Sequence, residues 1–511
     1  MVSVNWMPYR LFPYERRLGV RELEQLGLAV LADADATIAA SGDPANVIAR
    51  STYFQSVARD DQTVLETDQS RVELAHLGRR GTRAARQATR YGLHGIHEYK
   101  GKFNPQVVRA LCNVVDPDAE LLIDPFCGSG TAPLEGLRLG LDVLGIDRSP
   151  MASFLASAKL EAAVATDKNA LAAEVQALSD IAAEEMDRGQ ARSVAADLSP
   201  ILGEATVDYL RDWFTTPAFA GLSCALARLN APPMSIARNL CLIALSSIVR
   251  VVSLQLPEDL RIRRRPEPFE APRLAPLFAD AVDEIREGLA EMSEWGDISG
   301  SQVVIRASAD NPRAFRGCAD DRRRLFLTSP PYATALPYID TDRLSILALG
   351  LAGASEILPL ERELLGSREW VRAEQARWDE RRARDADAMP DALTRLLTDI
   401  HDANAEGGAG FRRKAVPSLL YRYFVGMADA MAAWLGILTP GESAILIVGH
   451  NRTTAGGQQV DIPTPNLLGE VAMSRGFETR ELIRLETWPR YGLHSANGVP
   501  GEDALVITRP D

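Results

Sequence analysis

Cysteine and histidine are scarce in this sequence, which has five cysteines and six histidines in 511 residues. The cysteines include no Cys-x-x-Cys pair, and their odd number argues against a complete disulfide framework. Only His94 and His97 lie close together, and no third or fourth ligand follows at the spacing of a zinc site. The sequence therefore predicts no metal site and favours a reducing, cytoplasmic environment.

The sequence also lacks segments that direct a chain to or through a membrane. Its first residues do not have the basic-then-apolar layout of a signal peptide. The most apolar run, residues 239–256, contains Arg250, so we interpret it as a buried helix. We therefore expect a cytoplasmic protein without membrane contact.

Positive charge is in deficit, because 56 basic and 69 acidic side chains give a net charge of -13. This balance alone argues against a nucleic-acid partner, since phosphates attract Lys and Arg. Local charge matters more than the sum, however. Four arginines form a short basic cluster: Arg261, Arg263, Arg264 and Arg265. The cluster is either a nucleic-acid contact or a solvated loop, and the residues alone favour neither.

The length predicts two or three structural units, and the hydrophobic fraction of 46% is that of a globular protein. Residues 1–85 are predicted to form an N-terminal helical region, because apolar residues recur at helical spacing between Val20 and Ala40. Residues 166–300 and 346–417 are rich in helix-forming and charged residues. They are predicted to be two helical insertions, each a candidate for target recognition.

The remaining segments, 86–165, 301–345 and 418–511, alternate between strands and helices. Strand patterns lie at 120–123, 142–146, 302–306, 324–328 and 444–448, and residues 481–486 and 504–508 are predicted to pair as an antiparallel hairpin. The first two strands flank a Gly-rich turn and a helix, which is the start of a βαβ unit. The sequence thus predicts an α/β fold with a Rossmann-like, mostly parallel sheet interrupted by the two insertions.

The Gly-rich turn follows the first of these strands and precedes a helix. Glycine lets the backbone approach a ligand closely, and the helix N-terminus offers free N–H groups. The turn is neither Gly-x-Gly-x-x-Gly nor a phosphate loop, since it lacks the Gly-Lys pair. Asp124 at the strand end suits a cationic group such as the ammonium of a methionine moiety. Asp147 ends the next strand, where a carboxylate can accept hydrogen bonds from ribose hydroxyls.

The string Asp124-Pro125-Phe126-Cys127-Gly128-Ser129-Gly130-Thr131 closely resembles the cofactor motif of the DNA amino-methyltransferases, which make N4-methylcytosine or N6-methyladenine. The resemblance implies a class I methyltransferase sheet and S-adenosylmethionine as the cofactor. It also implies that an aromatic segment packs on the methionine part of the cofactor, and residues 97–105 match this segment. The residues implied to bind the cofactor are Lys102, Phe103, Asp124, Pro125, Phe126, Cys127, Gly128, Gly130, Thr131, Asp147 and, near the adenine amino group, Asp310.

A second motif, Ser329-Pro330-Pro331-Tyr332, follows the strand at 324–328. The lone pair of an exocyclic amino nitrogen is delocalised into the base, and two acceptors binding its hydrogens help it to turn toward a methyl donor. The Pro330 carbonyl and the Ser329 hydroxyl can be these acceptors, because proline fixes φ and lacks an N–H. Tyr332 can stack on a base removed from the duplex. The alternative is that the two prolines only end a strand.

The first position of this motif bears on the target base. In the resembling family, Ser is typical of cytosine-N4 enzymes, whereas Asp or Asn is typical of adenine-N6 enzymes. Methylation at cytosine C5 needs a Cys nucleophile within Pro-Cys, and this dipeptide is absent. We predict a site-specific DNA cytosine-N4 methyltransferase, with a restriction or phage-defence partner suggested by analogy. Adenine-N6 methylation, RNA amino-methylation and a non-catalytic cofactor-binding subunit remain as alternatives.

Overall fold

The computed structural model describes residues 1–59, 63–79, 87–231, 233–296, 298–318, 320–333, 337–369, 371–385, 388–406, 410–486 and 501–511. Within these ranges no helix is long and apolar enough to cross a membrane.

The N-terminal region contains a five-stranded antiparallel sheet with strand order β2-β3-β1-β4-β5. Its strands are β1 (Val2–Trp6), β2 (Ala29–Asp33), β3 (Thr37–Ser41), β4 (Phe54–Arg59) and β5 (Val64–Glu66), and its helices are α1 (Pro13–Gln25), α2 (Ala45–Arg50) and α3 (Asp68–Arg79). The prediction of a helical region over residues 1–85 was therefore wrong in missing the sheet. Gly27 leaves the helical conformation with a φ of +96°, so the apolar pattern between Val20 and Ala40 runs from α1 into two strands.

A mixed seven-stranded sheet forms the centre of the molecule. The strands of the remaining chain are β6 (Leu121–Asp124), β7 (Asp142–Asp147), β8 (Gln302–Arg306), β9 (Arg324–Thr328), β10 (Ser443–Gly449), the separate hairpin β11 (Asn451–Ala455) and β12 (Gln458–Ile462), then β13 (Glu478–Leu485) and β14 (Glu502–Thr508). The order across the central sheet is β13-β14-β10-β9-β6-β7-β8. Neighbours from β10 to β8 are parallel, and β14 pairs antiparallel with β10 and β13. The predicted α/β fold and its antiparallel C-terminal hairpin are confirmed.

Helices cover both faces of this sheet. They are α4 (Pro105–Val115), α5 (Thr131–Arg138), α6 (Pro150–Val164), α19 (Val416–Leu435) and α20 (Thr464–Ser474). Two short helices, α13 (Tyr338–Thr341) and α14 (Arg343–Ala348), lie against each other, and α14 packs on α6. Successive strand residues face opposite cores: Leu122 packs into one apolar cluster, and Leu121 and Ile123 into the other. A sheet buried on both faces explains why its strands read as continuous apolar runs.

Both insertions are helical, as predicted. The first, residues 166–300, contains α7 (Lys168–Arg192), α8 (Ser199–Leu202), α9 (Glu204–Arg211), α10 (Thr216–Leu229), α11 (Ile236–Val252) and α12 (Leu274–Ser293). The second, residues 346–417, contains α15 (Ile357–Glu363), α16 (Arg372–Arg384), α17 (Asp391–Glu406) and α18 (Phe411–Lys414). The proposed domain boundaries stay predictions, and the one at residues 85 and 86 lies outside the described residues.

The sheet changes direction between β6 and β9. From β6 the chain adds β7 and β8 on one side, and it then crosses back to place β9 on the other side. In open α/β sheets, ligands bind beyond the carboxyl ends of the strands at such a switch point. Asp124 ends β6 and Ser329 directly follows β9, so this geometry brings the two residues to the same edge of the sheet.

Candidate cofactor and catalytic site

Asp124 lies completely buried at the carboxyl end of β6. One carboxylate oxygen accepts hydrogen bonds from the Phe126 amide at 3.1 Å and from the Thr328 hydroxyl at 2.6 Å. Within the described part of the chain the other oxygen, Oδ2, has no hydrogen-bond partner. Burial raises the pKa of this carboxyl to about 7. A buried acceptor left without a donor fits a bound cation, because such an atom is costly to leave unsatisfied.

The glycines of the turn are required by close contacts. Gly128 and Gly130 have φ angles of +49° and +80°, which favour glycine. A Cβ at Gly128 would lie 3.1 Å from the Tyr99 ring, and one at Gly130 would lie 3.1 Å from Ala156. The turn therefore packs closely on the aromatic segment and on α6, and it leads directly into α5.

Asp147 at the end of β7 holds the neighbouring backbone in place. Its carboxylate accepts hydrogen bonds from the Gly128 amide at 2.9 Å and from the Ser149 amide at 2.8 Å. Burial raises its pKa to about 6. Each carboxylate oxygen keeps a second lone pair, so the group can still accept from the hydroxyls of a ribose.

The aromatic segment before α4 faces the turn. Lys102 and Phe103 line the same cavity as Gly128. The Lys102 ammonium donates to the His94 carbonyl, and burial lowers its pKa to about 8. Tyr99 also lines the cavity, although it was not predicted to bind the cofactor. Its position between His97 and Pro105, inside the predicted aromatic segment, could have identified it.

These groups surround a cavity of about 400 Å³, within the range of small-molecule sites. The predicted residues that line it are Lys102, Phe103, Pro125, Phe126, Cys127, Gly128, Thr131, Asp147, Asp310, Ser329 and Pro331. Asp124 lies buried at the strand end, and Gly130 forms the N-cap of α5. The acceptor groups fit S-adenosylmethionine. The unsatisfied oxygen of Asp124 can bind its ammonium, and the carboxylate of Asp147 can accept hydrogen bonds from its ribose.

The Ser-Pro-Pro-Tyr segment continues from β9. Ser329 and Pro331 are half-buried and line the cavity, whereas Pro330 is buried. Tyr332 does not line the cavity: its hydroxyl donates to Glu502 at 2.5 Å, and its ring packs near Gly449. The structure thus brings Ser329 and Pro331 to the ligand site and holds Tyr332 at the ends of β10 and β14.

Asp310 lies exposed after β8 and also lines the cavity. The chain turns directly after it, since the Asn311 side chain accepts from the Arg313 amide at 3.1 Å. Just before it, the Ala309 carbonyl accepts from the Trp434 indole at 3.2 Å. These contacts fix the backbone on either side of Asp310, and the adenine contact assigned to its side chain stays a prediction.

The basic cluster divides into two pairs. Arg264 donates to a backbone carbonyl and packs 5.1 Å from the Trp213 ring, and Arg265 donates to two carbonyls at 3.1 and 3.2 Å. Both are therefore engaged in holding their own loop. Arg261, Arg263 and Arg264 are exposed, and Arg263 forms an ion pair with Asp259 at 3.2 Å. Arg264 and Arg265 therefore differ from the other two in that their guanidinium groups bond to backbone carbonyls.

The basic loop lies beside the helix that follows the Ser-Pro-Pro-Tyr segment. The Ile262 amide donates to Asp340 at 3.0 Å, and the Thr341 hydroxyl donates to the Leu260 carbonyl at 2.7 Å. Arg261 lies between these two contacts in sequence. The loop is therefore fixed to α13, whose first residue, Tyr338, lines the cavity.

His94, one of the two closely spaced histidines, serves the core. It is 1% exposed, its Nε2 lies 2.9 Å from Glu135, and burial lowers its pKa to about 4. Among the described residues, no group of three or more His, Cys, Asp or Glu side chains is arranged to hold a metal ion.

Comparison with known proteins agrees with this geometry. Residues 96–198 match the methyltransferase domain described as RMKL-like. A type II methyltransferase, M.MjaII of Methanocaldococcus jannaschii, is 42% identical over 69 residues, which are 14% of this chain and 13% of the relative. Another, M.MvaI of Kocuria varians, is 26% identical over 291 residues, or 54% of this chain and 62% of the relative. The chain thus spans less than two thirds of either relative, and its resemblance to DNA methyltransferases is confirmed.

Proposed function

We propose that this protein transfers a methyl group from S-adenosylmethionine to the exocyclic amino group of a DNA base. One observation supports this most strongly: Ser329 and Pro331 line the same cavity as the Gly-rich turn and Asp147. In this proposal, the site for the methyl donor and the site for the amino group are adjacent at the switch point of the sheet.

The chemistry follows from the placement of these groups. When bound, S-adenosylmethionine would supply an electrophilic methyl group: the C–S bond breaks as the N–C bond forms, S-adenosylhomocysteine leaves, and the methylated nitrogen gives up one proton to water. Asp124 would bind its ammonium, and Asp147 would accept hydrogen bonds from its ribose hydroxyls. The Ser329 hydroxyl and the Pro330 carbonyl accept the two amino hydrogens of the base and orient the nitrogen lone pair. Groups fixed in this way lower the barrier through positioning and electrostatics.

The target is proposed as cytosine N4 in DNA. Ser329 supports cytosine over adenine, and the two type II methyltransferases support DNA. Arg261 and Arg263 are proposed to contact phosphates beside the site, while Tyr332 stacks on the extruded base after leaving Glu502. A restriction or phage-defence partner is proposed by analogy alone.

The direct test uses purified protein, labelled S-adenosylmethionine, duplex DNA and total RNA, followed by mass spectrometry of the nucleosides. N4-methylcytosine in DNA is the expected product. N6-methyladenine would correct the target base, and label in RNA alone would correct the substrate. Absence of any methylated base, with or without added cell extract, would contradict enzymatic activity.

Variants of the acceptor segment test the assignment of roles. Ser329→Ala and Pro331→Ala are expected to reduce methyl transfer by about a hundredfold while cofactor binding is kept, because each disturbs a preorganised group. Ser474→Ala, at an exposed position of α20, is the matched control and should retain full activity. Unchanged turnover in both site variants would refute the assignment.

A further inference from the structure

One side of the cavity is not built by the cofactor or catalytic motifs. It is lined by the second insertion, which contributes Arg362, Glu363, Leu364, Leu365, Trp378 and Arg381. We refer to these six residues as the outer wall. They lie far in sequence from the Gly-rich turn, so no motif predicted that they would meet it.

The outer wall is fastened to the catalytic sheet and its helices. Glu363 forms an ion pair with Arg148, the residue directly after Asp147. Leu365 lies over α19, where a Cβ on Gly426 would be only 2.4 Å from its side chain. The wall is thus in direct contact with the end of β7 and with the helix packed below the cavity.

The indole of Trp378 is held at one end of this wall. Arg381 lies 4.9 Å from the Trp378 ring, and the Tyr421 ring lies 6.2 Å from it at a steep angle. The side chain is half-buried and lines the cavity. It therefore presents a supported, flat apolar surface to whatever occupies this space.

An ion pair shows which side of the cavity the outer wall occupies. Glu363 pairs with Arg148, which directly follows Asp147 at the carboxyl end of β7. Both side chains line the cavity, as does Asp310 after the neighbouring strand β8. The wall that carries Trp378 is therefore joined to the side of β7, whereas Ser329 and Pro331 follow β9, which is separated from β7 by β6.

We propose that the second insertion serves the cofactor rather than the target base, and that Trp378 packs against the adenine ring of S-adenosylmethionine. This inference rests on the proposed function and assigns the outer wall to the purine end of the same site. Stacking on an aromatic side chain recognises a purine by its flat face, and support from Arg381 and Tyr421 keeps the indole ready for it. Target recognition is then left to other parts of the chain, including the loop that carries Arg261.

The test measures cofactor binding by calorimetry with the full chain, without DNA, using S-adenosylmethionine and S-adenosylhomocysteine. Trp378→Ala is expected to weaken both by about tenfold, and Trp378→Phe by about threefold or less, since losing one base–aromatic stack has effects of this order. The affinity for adenosine alone should fall by a similar factor in Trp378→Ala. Arg377→Ala, on the exposed side of the same helix, is the matched control and should bind like the wild type.

The outcomes separate this inference from the proposed function. If the wild type binds the cofactor and Trp378→Ala binds it equally well but loses affinity for DNA, the outer wall faces the target and the inference is overturned. If the wild type does not bind the cofactor at all, the proposed function fails with it. Circular dichroism and thermal melting check folding, and the Phe variant keeps the test valid if the Ala variant is unstable.

Discussion

The two insertions share a helical composition and differ in what they bury. In the first, α12 places Phe278, Val282 and Leu289 at 0–1% exposure in the same apolar cluster as the N-terminal sheet and α4. In the second, α16 has mostly exposed residues and presents Trp378 to the cavity. The first insertion is thus part of the scaffold, whereas the second combines a buried helix, α17, whose Leu393, Leu397 and Ile400 are 0–2% exposed, with a helix at the site. Position between sheet strands does not by itself reveal which role an insertion has.

A matched pair of Phe truncations provides the strongest test of this comparison. Phe278→Ala in the first insertion should lower the free energy of unfolding by about 3–5 kcal/mol, because it leaves a cavity in a closed core. Phe411→Ala in the second should change it by less than about 0.5 kcal/mol, since Phe411 is 52% exposed. Urea unfolding measures both. Equal losses would contradict the division into scaffold and site.

Binding at the proposed cofactor site should depend on pH. Burial raises the folded pKa of Asp124 to about 7, above its usual value of 3.8, so the proton is held more tightly in the folded protein. A cationic group binds the deprotonated carboxylate, and cofactor affinity should therefore fall as pH drops through about 7. Asp124→Asn should weaken binding by tenfold or more through loss of a charged hydrogen bond, and it should flatten the pH dependence.

Asp124→Asn is expected to weaken cofactor binding without lowering the stability of the fold. Because the folded pKa of Asp124 is raised, ionisation opposes folding, and this cost appears as pH rises from about 4 to about 7. Asp124→Asn should remove that cost, so the variant should be at least as stable as the wild type at pH 8. A variant that loses both stability and affinity would show that Asp124 acts mainly in the fold.

The packing of the second insertion on α19 can be tested at Gly426. A Cβ there would lie 2.4 Å from Leu365, so Gly426→Ala should displace the outer wall and cost about 1 kcal/mol. Combining it with Leu365→Ala should relieve the clash, and the double-mutant cycle should show a coupling of about 1 kcal/mol in unfolding. Gly436→Ala, whose new Cβ would have its nearest contact at 3.4 Å, is the control. If the effects of the two substitutions on the free energy of unfolding are strictly additive, close packing between Gly426 and Leu365 is contradicted.

The smallest effect is expected at the ion pair between Arg148 and Glu363. Their side chains are 36% and 53% exposed, so water and salt screen the attraction. Arg148→Ala should change the free energy of unfolding by less than about 1 kcal/mol. A large loss of cofactor affinity without loss of stability would instead show that Arg148 contacts the ligand.

Much of the sheet could be predicted from sequence because each strand is a short apolar run bounded by charged or turn residues. Residues 302–306 and 324–328 were predicted with the bounds that the structure shows. The N-terminal strands were missed because β1 alternates buried and half-buried positions over only five residues, and β2 is mostly exposed. Such strands are stabilised by pairing with segments that are distant in sequence, and local sequence patterns do not show this pairing.

The residues of the candidate site also divide into those that could be predicted from sequence and those that could not. Asp124, Asp147 and Ser329 could be predicted, since each sits at a strand end within or beside a recognisable motif. Trp378 and Tyr338 could not, because only the folded chain brings them to the cavity. In the basic cluster the four arginines are equivalent in sequence, and only their contacts separate Arg264 and Arg265 from Arg261 and Arg263.

The position of β14 has a consequence for how the protein folds. This strand completes the sheet between β10 and β13, and its Glu502 receives the hydroxyl of Tyr332. The parallel pairs also join distant residues, such as Val143 with Gln302. Contacts of such high sequence separation form slowly. We therefore expect the binding site to become competent late in folding, when β14 has completed the sheet and Glu502 holds Tyr332.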